Sequence, residues 1–195
     1  AELRDGVAAL KADRRVTETV LLLSVVTFFV GLLQTLFAPM MLSFTDAKTL
    51  GVVQSVSALG MIGSSLLIGV LGIPFSPMKT LTAGLAAAGL FLGLLGTRTD
   101  IVWITSAFFL FFLCLPLVTT GAEVEIRNRI PNEYQGRVWG IIGLLSQGGY
   151  ITAYLFAGVV ADAVFTPLLL SDGALAGSVG RVFGVGPGRG IALML

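Results

Sequence analysis

Long apolar stretches alternate along this chain with short polar connections. Five stretches, Val16–Leu42, Leu50–Leu71, Met78–Leu95, Ile101–Gly121 and Val138–Val164, carry almost no charge. Hydrocarbon ~30 Å thick is crossed by roughly 20 apolar residues in a helix, so each stretch spans a bilayer or nearly does. None shows the period-two alternation of a half-buried strand. A helix also satisfies its backbone groups within itself, where lipid offers no partner. The pattern therefore predicts an all-α, polytopic membrane helix bundle. A sixth span is expected to open near Gly188 with "GRGIALML". The expected organisation is a polar amphipathic linker over 1–15, five spans over 16–164, a glycine-rich outer loop over 165–187 and the start of the sixth span over 188–195. The third stretch, "LTAGLAAAGLFLGLL", is rich in small residues, which let helices approach closely in lipid.

Composition narrows the classes further. Of 195 residues, 55% are hydrophobic and only 12% charged, against about a quarter charged in an average soluble domain. A net charge of +1 excludes a basic surface built for nucleic acid. The opening "AELRDGVAALKADRR" is polar and helical, unlike a cleavable signal. The single cysteine, Cys114, lies in an apolar run and reads as a small packed hydrophobe. With no histidine, no metal-ligand cluster and no nucleophile paired with a base, the sequence points away from catalysis, metals and cofactors. "GVGPGRG" lacks the lysine and hydroxyl of a phosphate loop and follows no strand, so it reads as a flexible loop.

Lysine and arginine in the short connections set the orientation. Arg4, Lys11, Arg14, Arg15, Lys79, Arg127, Arg129 and Arg137 fall on one side, and Lys48, Arg98, Arg181 and Arg189 on the other. The bias places the N-terminal stretch in the cytoplasm. The densest charge, "EVEIRNRIPNEYQGRVWG", then forms a cytoplasmic link between the fourth and fifth spans. Glu123 with Arg127, and Glu125 with Arg129, stand four apart with the acid first, an order that favours helix. The fourth span is thus expected to continue as a charged helix until Pro131 stops it. Asn132 is expected to cap a short turn, Gly136 to let the chain re-enter the bilayer, and Arg137 to stand at the lipid boundary.

This link resembles the corresponding segment of the major facilitator superfamily, in its macrolide-efflux-like branch. "IRNRIPNEYQGRVWG" keeps that branch's proline, glutamate, glycine and arginine at Pro131, Glu133, Gly136 and Arg137. The late "VGRVFGVGPGRGIALML" and the opening "LRDGVAALKADRRV" are similar to its outer loop and to the linker before its seventh span. The resemblance implies one six-helix half of a twelve-helix fold with a shortened last span. It also implies a partner N-terminal half and efflux of an amphipathic, drug-like molecule, by antiport, across a bacterial inner membrane. One departure is the loop "GVLGIPFSPMKT", where Lys79 is the only charge and the family's latch has several.

A substrate pathway needs polar atoms turned to a cavity, because polar groups facing lipid are costly. Ser24, Thr27, Gly31, Gln34 and Ala38 share a face of the first span. Gln54, Ser57, Met61 and Ser64 share one in the second, and Gly143, Gln147, Tyr150 and Tyr154 one in the fifth. Gln34, Gln54, Ser57, Gln147, Tyr150 and Tyr154 are the substrate-cavity candidates; the competing reading is interhelical hydrogen bonding or packing. Glu123, Glu125 and Arg137 are candidates for a cytoplasmic gate, with Arg137 pairing with one acid in one state; alternatively Arg137 snorkels and sets topology. Phe108, Phe109, Phe111 and Phe112 ring the fourth span, and Pro39 and Pro116 stand inside spans, as bends or as gating points. Glu18 and Asp162 lie at span ends, so a proton-coupling acid is expected in the other half. The rival to a transporter is a membrane scaffold or channel-like subunit assembled from six-span chains.

Overall fold

The structure, a computed structural model, describes residues 2–169, 173, 175, 177, 179, 180, 184–186 and 188–194. Helices α1 (Glu2–Ala12), α2 (Arg14–Leu42), α3 (Ala47–Leu71), α4 (Pro77–Leu95), α5 (Ile101–Arg129) and α6 (Asn132–Val160) follow one another. A π-helical segment, Ala161–Phe165, and the short α7 (Thr166–Leu168) extend α6, and α8 spans Arg189–Met194. The described residues form no strand. Among the described residues five helices are long and apolar enough to cross a membrane, and the protein is an all-helical membrane bundle.

Aspartates start three of these helices. Asp13, Asp46 and Asp100 each accept a hydrogen bond at 2.8 Å, from the backbone N–H of Arg15, Thr49 and Trp103 respectively. Each satisfies a donor that the first helical turn leaves open, worth about 1 kcal/mol. Asp13 is extended (φ −118°, ψ 114°), and this one residue divides the amphipathic α1 from α2. Gly72, at φ 77°, ends α3 in a conformation that other residues avoid.

Small residues decide which helices meet. At Gly121 a side-chain carbon would stand 2.8 Å from the Leu81 backbone nitrogen and 3.0 Å from the Pro77 carbonyl oxygen. Gly84 faces the Val118 side chain a little less closely, at 3.1 Å, so the glycines of α4 and α5 bring the two backbones together as the sequence of α4 predicts. On its other side α5 takes α3, with Gly60 against the Phe109 carbonyl. Helix α2 packs on α6 through Gly31 and Gly149, and α1 reaches α6 through Gly6. Two groupings result: α3, α5 and α4 in one, and α1, α2 and α6 in the other.

The groupings meet along the length of α2 and at the α5–α6 corner. Phe37 of α2 stacks on Phe108 of α5 with ring centroids 4.0 Å apart and planes at 21°. Leu10 of α1 joins Ile126, Ile130, Val138 and Ile142 at the end where α5 turns into α6. Leu22 and Val26 pack on Val118 and Leu81 midway, beside an apolar groove of about 410 Å³ between α2, α4 and α5. Phe108 and Phe111 are buried, and Phe109 and Phe112 are half-buried, so the ring of phenylalanines is largely core. Helices α2 and α5 continue past Pro39 and Pro116.

The charged link differs from expectation in its shape. Helix α5 does run on to Arg129, but α6 opens directly at Asn132, leaving only Ile130 and Pro131 as the corner. Asn132 makes no side-chain cap; its Oδ1 accepts from Gln135 Nε2 at 3.0 Å. Gly136 lies inside continuous helix. Part of the 165–187 connection, including Arg181 and Pro187, lies outside the described residues, and its first residues are helical. At the far end from this corner, Trp103 Nε1 donates to the Leu94 carbonyl at 2.9 Å, and Arg98 lies 4.7 Å over the indole.

Candidate functional site

Two of the sequence candidates meet directly. Tyr154 Oη on α6 donates to Gln34 Oε1 on α2 at 3.0 Å. Gly31, one turn before Gln34, makes this possible: a side-chain carbon there would stand 2.8 Å from Ala153 Cβ and 3.1 Å from Tyr150 Cδ1. Tyr150 stacks beside Tyr154 with centroids 6.0 Å apart and planes at 30°. Gln34 and Tyr154 are exposed and Tyr150 is half-buried, so the pair sits on the open edge of the α2–α6 seam. Gln147 is exposed three residues before Tyr150, on the same face of α6.

The remaining polar stripes divide. Ser24 and Thr27 fall within the seam, where Gly149 presses on the Ser24 carbonyl and the Thr27 hydroxyl. Their hydroxyls donate to the carbonyls of Val20 and Ser24 at 2.9 Å. On α3, Gln54 is exposed but Ser57 is fully buried and donates to the Val53 carbonyl at 2.7 Å. Ser57 and Ser64 are therefore buried in the α3–α5 seam on either side of Gly60. A stripe of small hydroxyl residues looks alike in sequence whether it lines a hollow or lets two helices touch. By contrast, α4 has no side chain more polar than threonine after Lys79, and Thr82 donates to its own helix at 2.9 Å.

A second cluster gathers charge at the α5–α6 corner. Arg129 Nε donates to Glu125 Oε1, and Arg129 Nη1 to Asp13 Oδ2 at 3.2 Å. Asp13 thus caps α2 with one oxygen and reaches α5 with the other. The i, i+4 reading of Glu125 with Arg129 holds, so the arginine that Glu125 holds in this conformation is Arg129 rather than Arg137. Arg137 lines a cavity of about 740 Å³ with Asp13, Arg129, Tyr134 and the alanine face of α1. Glu123 is exposed and shares a small pocket with Arg127 and Trp139. Sequence reasoning placed Arg129 in a helical pair but missed Asp13, whose signal was an aspartate between two helical stretches.

The Arg15 backbone N–H, and then the Arg129 guanidinium, hold the Asp13 carboxyl below its ordinary value. Its stabilisation is complete above the unfolded value, near 4, and disappears as pH falls through the lower folded value. Acidification to about pH 3 is expected to loosen α1 in the native chain. Asp13→Asn keeps a capping side chain and removes the titration, so its stability loss over the same range is expected to be smaller. Hydrogen exchange along α1 measures both.

Glu18 pairs with Arg14 at 2.6 Å on the exposed surface. Among the described residues no group of histidine, cysteine and carboxylates could hold a metal. Comparison with protein-family models, with curated proteins and with solved structures finds no match to this chain.

Proposed function

We propose that the chain forms half of a secondary active transporter, the second six-span unit of a major-facilitator-like exporter of a small amphipathic molecule. The observation that carries this reading is the hydrogen-bonded Gln34–Tyr154 pair on an exposed face of membrane-spanning helices. Lipid against that face would meet amides and phenol groups at a cost, whereas a hollow shared with a second bundle would hydrate them. Gln54 and Gln147 are exposed on α3 and α6, while past Lys79 the fully exposed positions of α4 are only alanine, glycine, leucine and threonine. A polar face and an apolar face on one bundle fit two halves that rock about a central site. The aromatic pair Tyr150–Tyr154 supplies flat apolar surface, and the glutamines supply donors and acceptors, which suits a neutral or weakly polar amphipath. The N-terminal side is read as cytoplasmic, and the coupling acid is assigned to the partner half.

The test is uptake into inverted vesicles carrying the full-length protein. Gln34→Leu and Gln147→Leu are each expected to weaken substrate-induced thermal stabilisation about tenfold, equivalent to ~1.4 kcal/mol, and to cut transport in step. Neither residue anchors the core, so both variants should fold. Native transport by both variants would remove this face from the pathway.

A further inference from the structure

The cavity at the α5–α6 corner has a use beyond the transport reading. We propose that it binds a phosphate group, in the first instance the headgroup of an anionic phospholipid, between Arg129 and Arg137. It lies where α5 ends and α6 begins, at the charged end of two helices long and apolar enough to cross a membrane. Its volume, about 740 Å³, is ample for a headgroup and its glycerol. Ala8, Ala9 and Ala12 of the amphipathic α1 form one wall, with Ile130, Pro131 and Tyr134 forming another. Small apolar walls in a cavity that two arginines line suit a group that is anionic at one end and lipidic at the other.

Arg129 has donors to spare. A guanidinium has five N–H groups, and Arg129 uses one toward Glu125 and one toward Asp13. Three remain to meet phosphate oxygens, in the forked geometry that makes arginine a phosphate ligand. Its bond to Asp13 is the exchangeable one: it is 3.2 Å long, and both side chains are about a third exposed, at 30% and 35%. Asp13 does not need Arg129, because its other oxygen keeps capping α2. The carboxylate behaves as a built-in stand-in for the phosphate, held until the lipid arrives. Lys11, Arg14 and Arg15 are exposed nearby in sequence and add long-range attraction, partly offset by Glu18.

The experiment uses the full chain in nanodiscs of phosphatidylcholine, with phosphatidylglycerol added in steps. The readouts are thermal midpoint and the lipid retained in native mass spectrometry. Phosphatidylglycerol is expected to raise the midpoint of the native protein. Arg137→Gln and Arg129→Gln should each need about tenfold more of it. Asp13→Asn, which still caps α2, should need severalfold less, because the competing carboxylate is gone. Lys79→Gln, a cation outside the cavity, should match the native protein. Inorganic phosphate and glycerol 3-phosphate form the soluble arm. A midpoint rise with these at millimolar concentration, lost in the same arginine variants, would assign the site to a soluble phosphate instead of a lipid. Arg129→Gln alone could fail by undocking α1, so the decisive pair is Arg137→Gln and Asp13→Asn. If those two respond to phosphatidylglycerol as Lys79→Gln does, the site does not exist.

Discussion

Replacing Gly121 with alanine is expected to push α4 and α5 apart. The added carbon would lie 2.8 Å from the Leu81 nitrogen and 3.0 Å from the Pro77 oxygen, both backbone atoms that no rotamer change can move. Overpacking of this kind costs typically ~1–3 kcal/mol, and Gly121→Leu should exceed it and block assembly. Lipid supplies no hydrophobic force to push helices together, so close backbone contact is most of what holds the pair. Gly89 is the matched control: it lies on α4 with nothing within 4 Å of the added carbon. Gly89→Ala should be neutral or slightly stabilising, since alanine favours helix by about 0.8–1.0 kcal/mol over glycine. Unfolding in mixed micelles with increasing dodecyl sulfate measures both, and equal midpoints would overturn the packing account of the α4–α5 pair.

The second large effect is expected at Phe108. Its ring stacks on Phe37 at 4.0 Å and meets Phe112 edge-on at 4.8 Å, so it links α2 to α5 as well as filling the core. Phe108→Ala should cost about 3 kcal/mol, the low end of the range for buried phenylalanine, because the transfer from water that inflates that range in soluble proteins is missing in lipid. What remains is lost dispersion contact and the cavity left behind. Phe29→Ala, at a ring 47% exposed, should stay within about 0.5 kcal/mol of the native protein. Similar losses at the two positions would mean that the stack carries little.

Apolar length and helix-stop chemistry made the spans readable. The first and third spans fall within two residues of their helices at both ends, because Asp13 and Pro77 fix the starts and the apolar runs fix the stops. The fourth span reads short at Gly121, yet the acid-before-base spacing at Glu123–Arg129 already implied the extra helical turns that the structure has. The fifth reads late, at Val138, because charged residues from Glu133 to Arg137 masked helix that is continuous from Asn132. Side-chain fates were harder to read. Ser57 and Gln54 share one polar stripe in sequence, but the serine is buried on the side where Gly60 lets Phe109 of α5 approach, while the glutamine stays exposed. Periodicity gives a face and leaves open what that face meets. The Asp13–Arg129 bridge spans 116 positions, beyond any local pattern.

The two helix groupings give the bundle a grain, as split timber has. Load entering through α1 runs along α2 and α6, and crosses to the other trio at the Asp13–Arg129 bridge near one end of α2 and the Phe37–Phe108 rings near the other. A twist about the line joining those two rivets leaves both fastened. Between the rivets Leu22 and Val26 still bear on Val118 and Leu81, so the room to breathe is in the slot beside that contact, lined by Phe29, Val30, Leu85 and Leu92.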